Sequence, residues 1–223
     1  MRLHASWCAM FIAAASSLAA LTARSAFAAV VYDNTTTSTG VVNDMLTSAT
    51  TNGPERGNTV TLAGVERIVQ QIQVRLRSAG PGVSTFDKRV RFYSNNGAGG
   101  APGSLLWDSG NSTTVIDSGA DLSYSFPVPD IAVPDTFTWT IQLSNRQGVA
   151  TTIGPVEYAP VTIGSAPNGY WQNDGPGNWQ TLSPNSAPFG ARITAVVPEP
   201  VMTTALCCIA LLTVVRRRST LPT

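Results

Sequence analysis

Between Ala29 and Val196 the chain has no cysteine and no histidine: Cys8, Cys207, Cys208 and His4 all lie in its two ends. Without thiols that stretch cannot hold a disulfide. Without imidazole it cannot build a Ser-His-Asp triad, a Cys-His pair or a histidine-bearing zinc site. A short exported domain would need such staples, but a stretch of this length buries enough apolar surface to fold without them. Basic charge is also scarce. From Asp33 to Glu199 thirteen acidic residues face eight arginines and Lys88, a balance of −4, which argues against nucleic acid as a partner. Amphipathic helical periodicity is missing from the same stretch, as is any repeat at a solenoid or propeller period.

What is present has a period of two. Gln71-Ile72-Gln73-Val74-Arg75-Leu76-Arg77, Asp121-Leu122-Ser123-Tyr124-Ser125-Phe126 and Thr136-Phe137-Thr138-Trp139-Thr140-Ile141-Gln142-Leu143 alternate apolar with polar residues, as half-buried strands do. Residues 59–62, 89–93, 105–107, 156–158, 170–172 and 191–196 are further strand candidates. Between them lie turn-forming clusters: Ala79-Gly80-Pro81-Gly82, residues 95–103, residues 127–135 and Asp174-Gly175-Pro176-Gly177-Asn178. Strands at this spacing predict an all-β protein, a single β-sandwich domain over residues 29–196.

Four groups of residues are candidates for chemistry or binding. Tyr170, Trp171, Asn173, Asp174 and Trp179 surround a Gly-Pro-Gly turn; aromatic faces stack on sugar rings while amides and carboxylates take hydroxyls, so the set fits a glycan. The alternative is a tight hairpin whose two tryptophans plug opposite ends of the sandwich. Asn173, Asp174 and Asn178 supply oxygens that suit calcium, but the ligand spacing of an EF-hand is absent. Arg75 and Arg77 share one strand face and Arg89 and Arg91 another, beside Lys88, giving either a basic polysaccharide-facing patch or a solvated outer face. Thr136, Thr138 and Thr140 line one side of a strand; ice-binding surfaces repeat such arrays on neighbouring strands, and a polar outer face is the simpler reading. Catalysis would have to use paired carboxylates as in glycosidases. The acids, among them Asp108, Asp117, Asp121, Asp130 and Asp135, are scattered singly, so a non-enzymatic role without cofactor or metal is expected.

The two ends carry addresses. Arg2 and His4 precede an Ala-rich apolar stretch from Trp7 to Leu21, and Ala26-Phe27-Ala28 fits the small-x-small rule for cleavage before Ala29, so residues 1–28 read as a secretory signal peptide. At the other end Val197-Pro198-Glu199-Pro200 leads into an uncharged run over 201–215 that stops at Arg216-Arg217-Arg218. Such a run makes a helix of roughly 22 Å, short for the ~30 Å hydrocarbon core, and three arginines hold its end in the cytoplasm. Physics alone leaves two readings open: an ordinary single-pass anchor with a proline-containing linker, or an extended peptide presented just outside the bilayer for processing.

These residues resemble the PEP-CTERM sorting signal of exosortase-processed bacterial surface proteins, over residues 197–218. The resemblance implies recognition at Pro198, Glu199 and Pro200 by a membrane-embedded exosortase-type protease or transpeptidase, cleavage nearby, and transfer of the ectodomain to the cell surface or extracellular matrix. Phe92-Tyr93, the Gly99–Trp107 stretch and Val133-Pro134-Asp135-Thr136-Phe137-Thr138-Trp139 more loosely resemble ectodomains of such proteins, which implies a jelly-roll-like sandwich with a structural or adhesive role. A carbohydrate-binding module working through residues 170–179 is the alternative.

Overall fold

The computed structural model describes residues 28–197 apart from 48, 49, 118, 150, 151 and 176. Ala26 of the signal-peptide motif, Pro198, Glu199 and Pro200, the 201–215 span and Arg216, Arg217 and Arg218 lie outside the described residues. Among those described, no helix is long and apolar enough to cross a membrane.

The described chain is all-β. In order the strands are β1 (Ala29–Asp33), β2 (Ser38–Val42), β3 (Leu46–Thr47), β4 (Glu55–Thr61), β5 (Ile68–Ala79), β6 (Ser84–Ser94) and β7 (Leu105–Asp108). They continue with β8 (Ser112–Ile116), β9 (Asp121–Ala132), β10 (Thr136–Gly148), β11 (Thr152–Tyr158), β12 (Tyr170–Asn173), β13 (Trp179–Leu182) and β14 (Ala191–Val196). They form two antiparallel sheets. The first runs β1-β14-β5-β11-β2, with β9 on the other side of β5 and β3 beside β11; the second runs β13-β12-β4-β10-β6-β7, with β8 also on β6. The long β5 takes β14 along its first half and β11 along its last residues.

The alternation seen in the sequence explains why the sheets pair face to face. Val69, Ile72, Val74 and Leu76 of β5, Ile193 of β14, Phe86, Val90 and Phe92 of β6, and Phe137, Trp139, Ile141 and Leu143 of β10 join one buried cluster from both sheets. Fully burying such side chains stabilises by roughly 1.5–3 kcal/mol each. The result is a β-sandwich-like fold built on a single core.

Two expectations change. Residues 127–135 do not form a turn throughout: β9 continues through Pro127 and Pro129 to Ala132. Among the described residues it has only β5 as a neighbour, and a strand paired on one side needs only half of its amides, so proline is accommodated there. Strands β1, β2, β3, β8 and β13 were not evident from alternation; they are short, and several are polar on both faces.

Candidate polar cleft on the outer face of the second sheet

Strand β12 divides the predicted glycan set. Tyr170 points inward, is buried, and packs on Phe189 with ring centroids 5.1 Å apart. The Arg56 guanidinium lies 5.5 Å from the centre of the same ring. A pleated strand sends neighbours to opposite sides, so Trp171 and Asn173 face outward while Tyr170 serves the core. Tyr170 therefore offers no free ring to a ligand.

The two tryptophans plug neither end of the fold. The Trp171 indole N–H donates to Thr59 Oγ1 at 3.0 Å, and Trp179 meets Tyr93 edge to face with centroids 5.3 Å apart. Trp179 is on β13 and Tyr93 on β6, four places apart in the sheet; flat strands would hold them about 19 Å apart. The contact means that the β12–β13 hairpin curls over the outer face. Beneath it Thr138 and Thr140 are wholly buried, although alternation along β10 directs them away from the core.

A charged network fills the covered space. Glu55, only 5% exposed, accepts hydrogen bonds from Tyr93 Oη at 3.0 Å and Arg91 Nη1 at 2.7 Å, and from the Thr140 hydroxyl. Arg91 also donates from Nε to Asp108 at 3.1 Å and from Nη2 to Gln142 Oε1 at 3.3 Å. Asp108 is forked by Arg89 through Nε at 2.7 Å and through Nη2, and accepts the Gly110 N–H at 2.8 Å. Burial pushes the Asp108 carboxyl upward, but the bonds from Arg89, Gly110 and Arg91 outweigh it and hold it at about 2. Burial and the neighbouring Glu55 raise the Tyr93 phenol well above its ordinary range.

This network floors one side of an open cleft of about 520 Å³, whose lining includes Asn52, Glu55, Arg91, Gln142, Asn173 and Asp174. Two of the predicted site residues, Asn173 and Asp174, thus meet Glu55, Arg91 and Gln142, which sequence reasoning did not single out as one site. These arrive from β4, β6 and β10, and only strand register places them together.

The other candidates are placed as follows. Asn173 Oδ1 accepts the Gly175 N–H at 3.2 Å, Asp174 Oδ1 accepts from Gln172 Nε2 at 2.7 Å, and the Asn178 N–H donates to Gly175 O at 3.0 Å. Of the suggested calcium oxygens, Asn173 Oδ1 thus serves the turn and Asp174 Oδ1 serves Gln172. Arg75 and Arg77 lie on the first sheet, and Arg89 and Arg91 on the second. Arg75 pairs with Asp121 at 3.2 Å, and Arg89 and Arg91 with Asp108, so they form no continuous basic patch. Lys88 Nζ sits over the rings of Tyr124 and Phe126 at 5.3 and 5.4 Å. The threonine array extends to a second strand, but Thr59 bonds Thr138 at 3.0 Å and Thr61 bonds Thr136 at 2.9 Å, which turns these hydroxyls toward one another. Ala29 opens β1, and Val197 is exposed just after β14.

Compared with family models, curated proteins and solved structures, the chain matches none of them.

Proposed function

We propose that the protein is exported, sorted through its Pro-Glu-Pro tail, and acts at the cell surface or in the extracellular matrix as a structural or adhesive component without catalysis. The observation that carries this reading is the coincidence of the folded unit with the processing signals. The unit spans Ala28–Val197, and its two ends fall within one residue of the candidate cleavage bond before Ala29 and of the sorting signal that begins at Val197. Ala29 pairs with Ala195 on neighbouring antiparallel strands, so removing a signal peptide from one side and the tail from the other leaves every strand among the described residues in place. In this reading residues 201–215 are a transient membrane helix, Arg216–Arg218 stay in the cytoplasm, an exosortase-type enzyme recognises Pro198-Glu199-Pro200, and the sandwich is jelly-roll-like. The test is intact mass and localisation of the protein from its host, beside a Glu199→Ala variant. A wild-type product starting at Ala29 and ending near Pro198, with the variant held in the membrane by an intact tail, supports the reading. An intact tail in both overturns it in favour of a plain anchor.

A second reading, carbohydrate binding around residues 170–179, is favoured by the polar cleft that Asn173 and Asp174 share with Glu55 and Arg91. Quenching of tryptophan fluorescence across a soluble-glycan panel tests it; a flat response to every glycan excludes it.

A further inference from the structure

We infer that the cleft floored by Glu55 and Arg91 binds a neutral, hydroxyl-rich oligosaccharide, contacted by Arg91, Gln142, Asn173 and Asp174. The inference rests on the carbohydrate reading and moves the ligand from the aromatic turn to the polar cleft beside it.

Three features carry it. The lining presents unused hydrogen-bonding groups of both kinds. Asn173 uses Oδ1 for the Gly175 N–H, Gln142 uses Oε1 for Arg91, and Asp174 uses Oδ1 for Gln172. Among the described residues this leaves the Asn173 and Gln142 amide nitrogens as donors and Asp174 Oδ2 as an acceptor, the mixture that a hydroxyl, itself donor and acceptor, satisfies best.

The charge is the second feature. Two carboxylates, Glu55 and Asp174, share the cleft with one guanidinium, Arg91. The carboxylates repel an acidic sugar, and the guanidinium, bonded to Glu55 at 2.7 Å, repels a metal ion. A neutral ligand meets neither penalty. Glu55 acts as a positioning residue: buried and bonded to Tyr93, Thr140 and Arg91, it fixes the guanidinium before any ligand arrives.

Position is the third. The chain leaves the fold at Val196, whose carbonyl accepts the Arg67 N–H at 3.2 Å, near Leu62 and Asp135, which bond at 2.9 Å at the Thr61 end of β4. Glu55 is the opposite end of that strand, about 20 Å away at the rise of an extended chain. A ligand in the cleft is clear of the end that carries the tail.

The test is titration calorimetry of the full chain in a non-glycosidic detergent with cellopentaose, xylopentaose and mannopentaose, with trigalacturonate and calcium chloride as charged probes. Binding of a neutral pentaose, weakened about tenfold or more by Gln142→Ala and by Asp174→Asn, supports the site; Asp174→Asn removes the charge behind one ligand bond, and Gln142→Ala removes a ligand donor together with the oxygen that holds Arg91. Both positions touch solvent, and circular dichroism verifies that the variants fold. Binding that persists in both variants but vanishes in Trp179→Ala overturns the cleft and leaves the aromatic reading standing. Absence of binding to all three pentaoses overturns both. Binding of trigalacturonate or calcium alone overturns the ligand class.

Discussion

Asn34 and Asn58, one following β1 and the other within β4, hold the backbone of Phe189 between them: Asn34 Nδ2 donates to its carbonyl at 3.0 Å, and Asn58 Oδ1 accepts its N–H at 2.9 Å. Asn34 Oδ1 further accepts the Ala191 N–H at 2.7 Å, and Asn58 Nδ2 donates to Gly169 O at 2.7 Å. Both side chains are buried. In a domain without cysteine these two amides tie the segment before β14 to both sheets.

Replacing either with alanine leaves buried backbone groups unpaired, at a cost of about 2 kcal/mol each. Because both act on Phe189, the double variant loses less than the sum. Urea denaturation of the four proteins measures this cycle, and full additivity would show that the two amides act independently.

Glu55→Ala takes one of two carboxylate partners from the Arg91 guanidinium, whose side chain is only 12% exposed, and leaves it Asp108. Removing one partner of a buried pair costs about 3 kcal/mol or more. Glu55→Gln, which retains an oxygen for Tyr93 and Thr140, should cost less. The same denaturation assay ranks the two, and equal losses would show that charge alone matters there.

Asp108 gives the fold an acid-sensitive term. Its carboxyl is held at about 2 in the folded protein, below the unfolded value of about 3.9. A depressed folded value stabilises fully above the unfolded value, and that contribution is lost as pH falls through the folded one. Stability should therefore drop between about pH 4 and pH 2. Asp108→Asn should be less stable at pH 7 and show a flatter slope across that window. Thermal melts at fixed ionic strength check it; an unchanged slope refutes the assignment.

Gly57 faces a crowded backbone. A Cβ there would lie 1.9 Å from Trp139 O and 2.6 Å from Thr140 Cα, whereas one at Gly175 would meet nothing within 4 Å. Gly57→Ala should cost about 3 kcal/mol by forcing β4 from β10, and Gly175→Ala should change stability by no more than about 0.5 kcal/mol. Comparable losses at both positions would show that steric crowding is not the cause.

The strands with strong alternation were legible because each buries one apolar face for most of its length; β5, β10 and β14 are of this kind. Strand β13, Trp179-Gln180-Thr181-Leu182, was not, since its pattern merges with the turn before it. Asn173 and Asp174 were legible through turn chemistry. Glu55, Arg91 and Gln142 carry no local signal, because what makes them a site is the pairing of strands distant in the chain.

The sequence alone determined the all-β class and the exclusion of thiol and imidazole chemistry between Ala29 and Val196, because composition and alternation are local properties. Tertiary structure decided which outward-facing residues reach water. Thr138, Thr140 and Glu55 all alternate away from the core, yet they are buried because the β12–β13 hairpin curls back until Trp179 meets Tyr93. Alternation fixes the side of a sheet on which a side chain stands; whether that side is open depends on what the rest of the chain lays over it.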